Sequence, residues 1–97
     1  MLLSRNKMQV ARMELGKVVV YMVDGDWFEI KETLQELENL LGEQFVRISK
    51  SAIVNIDSIK TVKASFNGTM ELYLENGYEE VISRTYRKQF KERLGVK

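Results

Sequence analysis

The residues that best indicate the fold are 67–77, NGTMELYLENG, in which apolar and polar side chains alternate between two Asn-Gly pairs. This alternation is typical of a half-buried β-strand, because successive side chains of a strand point to opposite faces. Met70, Leu72 and Leu74 would form the buried row. Asn-Gly pairs are strong hairpin signals. The segment therefore predicts a strand with a hairpin turn at each end.

The same kind of pattern recurs toward the N-terminus. Asp24-Gly25 is a third turn signal, and it separates the β-branched and aromatic residues 18–23 from residues 27–30, which can pair back. Residues 51–56 and 59–62 are also rich in β-branched side chains and predict further strands. Three hairpins in 97 residues indicate a fold dominated by strands.

Residues 34–41 have helical spacing instead. Thr33 and Glu36 have the spacing of a capping box, in which each residue satisfies a main-chain N–H of the other. Leucines then recur at helical intervals around Leu37, and Gly42 can end the helix. The pattern predicts one mid-chain helix with Leu37 in the core.

A second helix is predicted at the C-terminal end of the chain. Tyr86, Phe90 and Leu94 recur every fourth residue and form one apolar stripe, with Phe90 at its centre, before Gly95. Packing of this stripe does not require neighbouring cations. The basic residues that would then point elsewhere are Arg87, Lys88 and Lys91.

Composition excludes several kinds of site. The chain has no cysteine, so it has neither disulfides nor thiolate zinc ligands. It has no histidine, which removes the commonest general base and the commonest neutral metal ligand. Most hydrolytic constellations are therefore unavailable. The expectation for the whole chain is no cofactor and no enzymatic activity.

Size and hydropathy predict one domain over residues 1–97, with residues 1–9 as an irregular N-terminal lead. Hydrophobic residues make up 44% of the chain, which is enough for a modest core. The first residues carry charges where a signal peptide needs an apolar run, and no window approaches the ~20 apolar residues of a membrane span. The sequence predicts a cytoplasmic protein.

Charge is segregated along the chain although the net charge is +1. Residues 32–46 and 64–82 each carry four acidic residues and no basic residue. Residues 47–63 carry four basic residues against one acidic residue, and residues 83–97 carry six against one. Two cationic segments can form a basic face that attracts a polyanion, but such stretches are also common as solvated surface. Composition leaves both interpretations open.

A resemblance becomes clear at residues 44–59, QFVRISKSAIVNIDSI. This stretch resembles the LytTR DNA-binding domain, in which phenylalanine and arginine precede a polar triplet ending in serine, followed by valine and asparagine. The similarity extends over most of the chain, from Val10 onward. Other segments resemble the mid-domain helix, the last hairpins and the serine-arginine motif of the family: 33–38, 66–68, 75–77 and 83–86.

The resemblance implies a mainly β fold with about ten short strands in small antiparallel sheets, one mid-chain helix and a C-terminal helix. It also implies that loops, rather than a recognition helix, enter successive major grooves of DNA. In many bacterial two-component response regulators this domain follows a phosphorylated receiver domain. We expect no receiver domain within these 97 residues.

The resemblance also implies which residues contact DNA. Arg84 matches the base-reading arginine of the family, and arginine can donate two hydrogen bonds to guanine. Thr85, Arg87 and Lys88 begin the last helix, where main-chain amides and side chains can bind phosphate together. Lys17 lies in the loop that supplies the other groove contact. Without the resemblance, Arg84 would be interpreted as a surface ion pair.

Ser49, Lys50 and Ser51 match the polar triplet that contacts DNA between two strands of the family fold. A cation flanked by two hydroxyls suits phosphate oxygens. The family usually has histidine at the position of Ser49, so a shorter hydroxyl replaces the ring here. Arg47 precedes the triplet at a strand position that could belong to either face of the sheet.

The resulting prediction is a sequence-specific regulator of bacterial transcription that binds double-stranded DNA. Two copies would form a homodimer on repeated half-sites, and a regulatory protein is a further expected partner. The alternative is a protein-interaction module of the same fold with weak or no DNA binding, which Ser49 keeps open. Pairing a serine with a nearby lysine as a catalytic unit lacks any pattern for an oxyanion hole or a buried lysine. Five cations are predicted to converge on one face: Lys17, Lys50, Arg84, Arg87 and Lys88.

Overall fold

The computed structural model describes residues 5–65, 67–75 and 77–95. Eight β-strands and two α-helices are formed by these residues. The strands are β1 (Met8–Glu14), β2 (Lys17–Met22), β3 (Trp27–Ile30), β4 (Phe45–Ser49), β5 (Ala52–Asn55), β6 (Ile59–Ala64), β7 (Met70–Leu74) and β8 (Glu79–Ile82). The helices are α1 (Leu34–Leu41) and α2 (Arg84–Leu94), and 3₁₀ turns lie at Arg5–Lys7, Gly42–Gln44 and Ile56–Ser58.

The strands form two antiparallel sheets. One has five strands in the order β3-β2-β1-β5-β4, and the other has three in the order β6-β7-β8. Each sequence-adjacent pair within a sheet is a hairpin, whereas β1 pairs with β5 across the intervening helix. That pairing brings the N-terminal and central segments of the chain into one sheet.

Both faces of the five-stranded sheet are covered over β1, β2, β4 and β5, whereas the edge strand β3 is mostly exposed, so the domain has three layers. On one face Val20 and Ile53 pack in a cluster with Leu37 of α1. On the other face, Val46 and Ile48 of β4 and Val54 of β5 pack with the three-stranded sheet and with Phe90 of α2. Leu37 and Phe90 are 0% and 1% exposed, which confirms that each apolar stripe packs into a core. The central sheet is shared by the two cores.

The capping box predicted for α1 is present. Thr33 Oγ1 accepts a hydrogen bond from the Glu36 N–H at 3.1 Å, and Glu36 Oε1 accepts one from the Thr33 N–H at 2.9 Å. These bonds satisfy two groups that a helix N-terminus otherwise leaves without partners, which fixes where α1 begins. The helix ends at Leu41, before Gly42 with φ 70°, as the sequence predicts.

The mainly β architecture is confirmed, but the described residues contain eight strands and not ten. The irregular lead expected at residues 1–9 is also too long. β1 begins at Met8, because Met8 is buried and pairs with Met22. Asp24-Gly25 makes the turn between β2 and β3, as predicted. Three parts of the sequence predictions lie outside the described residues: residues 1–4 of the lead, Phe66 and Asn76.

Candidate nucleic-acid interface

Several connections between strands lie at one end of the sheets. The chain reverses direction at each hairpin, so every second connection lies at the same end. Two main-chain hydrogen bonds join them. The Met13 N–H beside the β1–β2 turn donates to Ser51 O at 2.9 Å, and the Ser83 N–H before α2 donates to Ile48 O at 3.0 Å. Turns distant in sequence are thereby held side by side. This group of connections is named the loop end and comprises residues 15–17, 49–51, 67–68 and 83–88.

The turn between β4 and β5 is held by the side chain of Arg47. Its guanidinium donates to Ser49 O at 2.8 Å and to Lys50 O at 2.7 Å. The same group is anchored by an ion pair with Glu38 of α1 at 3.1 Å. The Ser51 N–H donates to Ser49 Oγ at 3.1 Å, which closes the turn further. Lys50 is left exposed on a fixed main chain.

Arg47 therefore faces the α1 layer, which decides between the two faces that the sequence left open. It is a positioning residue that sequence reasoning missed. Its acceptors are main-chain carbonyls, which every residue has, so no pattern of residue types reveals them. The one usable signal is an arginine within an otherwise apolar strand directly before a polar turn.

Arg84 is seated on the turn between β6 and β7. Its aliphatic portion crosses Gly68 so closely that a Cβ at residue 68 would lie 2.7 Å from Arg84 Cδ. One turn of α2 later, Arg87 Nη1 donates to Gly68 O at 3.2 Å. Gly68 thus does more than make a turn, because its missing side chain provides the space for Arg84. The sequence motif indicated only the turn.

The first turns of α2 present a cationic surface. Ser83 is the N-cap residue but its hydroxyl accepts no capping hydrogen bond, and the first turn contains no acidic residue. Arg84, Thr85 and Lys88 are exposed. A shallow depression of about 400 Å³ runs along this surface. Its lining is four basic residues and one acidic residue, namely Arg84, Arg87, Lys88, Lys91 and Glu92.

Lys17 begins β2 beside the β1–β2 turn. Its Nζ lies 3.5 Å from Glu29 Oε1 on the neighbouring strand β3, and both side chains are more than half exposed. An exposed pair of this kind contributes little to stability, because water screens it. Lys17 lies at the loop end because it follows the β1–β2 turn, and Glu29 offsets part of its charge.

A polar cluster lies between the two sheets behind the loop end. Arg12 of β1 forms ion pairs with Glu14 at 2.8 Å and with Glu80 of β8, and its guanidinium stacks 4.6 Å from the centre of the Tyr21 ring. Burial raises the pKa of Glu80 above its ordinary value, and the charge of Arg12 opposes that shift. The cluster fastens the three-stranded sheet to β1.

The connections at the opposite end of the sheets carry a different charge. They are the β2–β3 turn, the Gly42–Gln44 and Ile56–Ser58 turns, and the β7–β8 turn. The acidic residues in them are all exposed: Asp24, Asp26, Glu43, Asp57 and Glu75. None of the residues that define the loop end is acidic, and the adjoining β3–α1 link contributes one acidic residue, Glu32. This opposite group is named the acidic end.

Two kinds of feature are missing from the part of the chain that the structure describes. No group of three or more cysteine, histidine or acidic residues could hold a metal ion. Neither of its helices is long and apolar enough to cross a bilayer.

Comparison with known families identifies the fold. Residues 1–95 match the model of the LytTr DNA-binding domain. The chain belongs to the LytTR family. A solved LytTr DNA-binding domain of a response regulator from Bacillus cereus superimposes with a TM-score of 0.90 at 29% sequence identity. The alignment covers 96% of this chain and 85% of that one.

Relatives of known sequence include regulators from Staphylococcus aureus. An uncharacterized HTH-type transcriptional regulator of strain NCTC 8325 / PS 47 is 38% identical over 82 residues, and its counterpart in strain MRSA252 is 37% identical. The alignment covers 84% of this chain but 56% of each relative, so this LytTR chain spans about half their length. Within the described residues, α1 and α2 are separated by five strands, so together they do not form a helix-turn-helix.

All eight residues that the sequence predicted for the site lie in segments of the loop end. Arg84, Thr85, Lys50 and Lys88 are exposed there, whereas Arg87 is half-buried against Gly68. Ser49 is also half-buried, and its hydroxyl is engaged by Ser51 within the turn. Ser49 is thus the member of the LytTR triplet whose side chain is least available.

Proposed function

We propose that the loop end binds double-stranded DNA in a sequence-specific manner and that the protein regulates transcription. The observation that carries the proposal is the pair of main-chain bonds, Met13 to Ser51 and Ser83 to Ile48, which gathers three separate polar turns into one surface. Membership of the LytTR family supports DNA as the ligand. The relatives named as transcriptional regulators support the wider role.

In this proposal the turns at the loop end enter successive major grooves. Arg84 reads a guanine, because a guanidinium can donate to O6 and N7 together. Lys50, Ser51, Thr85, Arg87 and Lys88 contact phosphates and fix the register, and Lys17 approaches the neighbouring groove. The acidic end supports this orientation, since a polyanion is repelled from it and attracted to the cationic end. No cofactor is needed for these contacts.

The assembly on DNA is part of the proposal. Two copies occupy repeated half-sites as a homodimer, and a regulatory protein sets when they bind. The relatives are longer than this chain, which leaves room in them for a segment that receives such a signal. DNA binding of this kind would take place in the cytoplasm of a bacterial cell.

Salt dependence tests DNA binding directly. A duplex selected from a random pool should lose affinity steeply between about 50 and 200 mM salt, with a log–log slope of about −0.9 per phosphate neutralised. The matched variants are Lys88→Glu at the loop end and Lys60→Glu at the start of β6, an exposed lysine near the acidic end. Lys88→Glu should weaken binding and flatten the slope more than Lys60→Glu. Equal losses would contradict binding through the loop end.

A second candidate function is a protein-interaction module of the same fold with weak or no DNA binding. The observation that favours it is a pair of exposed aromatic residues on β3, an edge strand: Trp27 is 64% exposed and Phe28 41%. Aromatic side chains are enriched at protein–protein interfaces. If the protein binds none of the duplexes tested, at low salt as well as at high salt, this second function is favoured.

A further inference from the structure

The β1–β2 turn at the loop end contains an unusual residue. Leu15 and Gly16 connect the paired residues Glu14 and Lys17, and both connecting residues have positive φ, 52° for Leu15 and 79° for Gly16. Positive φ at both positions is the geometry of a type I′ hairpin turn, which normally takes asparagine, aspartate or glycine. A leucine there places Cβ close to the following carbonyl. Leu15 is the one non-glycine residue with positive φ in the part of the chain that the structure describes.

The side chain of Leu15 gains nothing from the fold in return for this strain. It is 101% exposed, so its isobutyl group is fully solvated. Apart from its two neighbours in the chain, no residue has an atom within 4 Å of the Cβ position at the adjacent Gly16, so the turn projects into open space. A residue that is both strained and fully solvated, where asparagine or glycine would be more stable, indicates a contact with another molecule.

The surroundings of Leu15 indicate what that molecule is. The turn is attached to the β4–β5 turn by the bond from Met13 to Ser51, so the turn that carries Leu15 lies next to the turn that carries the exposed Lys50. Lys17 follows in the chain, paired with Glu29 across β2 and β3. The carboxylate of Glu14 is occupied by Arg12. The apolar tip therefore lies between two lysines, and the two carboxylates nearest to it in the chain or across the strands, Glu14 and Glu29, are each paired with a cation.

We propose that Leu15 contacts the 5-methyl group of a thymine in the major groove and so contributes to sequence specificity. A two-stranded β-ribbon fits in this groove, and the thymine methyl is the apolar group displayed on its floor. β1 and β2 are central strands of the five-stranded sheet, but their registered pairing with β5 and β3 ends at Arg12 and Val18. The β1–β2 turn therefore extends past those strands as a two-stranded tip, with Leu15 at its end. This inference rests on the proposed DNA-binding function and adds a base-reading residue to it.

The experiment replaces thymines of a selected duplex one at a time by deoxyuridine, which lacks only the methyl group. The wild-type protein should lose about fourfold in affinity at one position, which is the value of one buried methyl or methylene group. Leu15→Gly should bind the all-thymine duplex correspondingly less tightly and show no loss at that position. Leu15→Met, which keeps an apolar side chain, should retain part of the sensitivity.

Two controls separate the outcomes. Val23→Ala removes a partly exposed aliphatic group from the turn at the other end of β2, and it should keep the wild-type deoxyuridine profile. The thermal midpoint of Leu15→Gly should equal or exceed that of the wild type, because glycine adopts positive φ without strain. Lower DNA specificity combined with undiminished stability excludes a loss of folding as the cause.

A wild-type profile without any sensitive thymine, or a Leu15→Gly profile equal to that of the wild type, would overturn the assignment of Leu15 while leaving DNA binding intact. If the wild type binds no duplex at low salt, the proposed function itself fails. The two failures are therefore distinguishable from the same set of titrations.

Discussion

The two ends of the sheets are built alike but differ in charge, because the connections that define the acidic end carry acidic residues although the exposed Lys7 and Arg93 lie beside them. Each consists of short turns between antiparallel strands, and each is secured by an arginine that donates to two main-chain oxygens. Arg47 binds Ser49 O and Lys50 O at the loop end, and Arg93 binds Glu43 O and Phe45 O at the acidic end. The net charge of +1 hides this polarity. The comparison teaches that charge along the fold, rather than total charge, indicates which end meets a polyanion.

The largest expected effect is on the stability of the two cores that hold the sheets together. Leu37 and Phe90 each fill one of the two cores that share the central sheet. Truncation of either residue to alanine should lower the free energy of unfolding by about 2–5 kcal/mol, because a cavity remains where packed atoms are lost. Urea denaturation measures the change. The exposed Gln35, replaced by alanine on α1, is the control and should remain within about 0.5 kcal/mol of the wild type.

The next prediction separates base reading from attraction within the loop end. Arg84→Ala should remove about 1–3 kcal/mol of discrimination between a selected operator and a scrambled duplex, because a bidentate contact to guanine is lost. Lys88→Ala should weaken both duplexes alike and lower the salt slope by about one phosphate. Affinities for both duplexes at one salt concentration decide between the two behaviours. If Arg84→Ala lowers the affinity for both duplexes equally, Arg84 contacts phosphate and does not read a base.

The paired arginines provide a comparison of the ends themselves. Arg47→Lys and Arg93→Lys each keep the charge but lose the planar group that reaches two carbonyls. Each should cost about 1–2 kcal/mol of stability, since hydrogen bonds from a charged donor are lost. Only Arg47→Lys should also weaken DNA binding, because it frees the turn that holds Lys50. If Arg93→Lys lowers DNA affinity as much as Arg47→Lys, the two ends are not functionally distinct.

Two glycines, one at each end of the sheets, provide a more closely matched pair of variants. Gly68 and Gly77 both have positive φ, 84° and 80°, in turns at opposite ends of β7. Alanine should cost about 1 kcal/mol at either position through backbone strain. Gly68→Ala should in addition displace Arg84 and reduce operator specificity, whereas nothing lies within 4 Å of the Cβ position at Gly77. Equal DNA binding by the two variants would show that the seat of Arg84 on Gly68 has no functional role.

The smallest effect concerns the polar cluster behind the loop end. Burial raises the pKa of Glu80 in the folded protein, so the folded state takes up a proton at higher pH than the unfolded state does. Stability from this group therefore increases as the pH falls through the folded pKa toward the usual value of about 4.3. Relative to Glu80→Gln, the wild type should gain stability on acidification, measured by urea denaturation across that range. A relative loss would mean that the ion pair with Arg12 outweighs the cost of burial.

Local sequence patterns predicted the local structure well. The bounds of α1 follow from Thr33, Glu36 and Gly42, because capping and termination depend on neighbouring residues. The β7 strand follows from strict alternation, and its predicted buried row is buried. The start of β1 was missed, since Met8 belongs to the sheet through its partner Met22, which is distant in sequence.

Tertiary relations explain what the sequence did not reveal about the site. The resemblance identified the segments that form the loop end, yet it gave no reason for them to meet. Their meeting depends on the pairing of β1 with β5 and on the contact of Ser83 with Ile48. The roles of Arg47 and Gly68 were missed for the same reason, because one acts on main-chain atoms and the other through the absence of a side chain.

The bonds that join the turns of the loop end have an evolutionary consequence. Met13 to Ser51 and Ser83 to Ile48 are bonds between main-chain atoms, which any residue except proline can donate and any residue can accept. Side chains at Leu15, Lys50 and Arg84 are exposed and can be exchanged without moving the turns that carry them. Under the proposed mode of DNA binding, a lineage of such proteins can therefore acquire new operators by substitution at a few surface positions, while the scaffold that presents them is inherited unchanged.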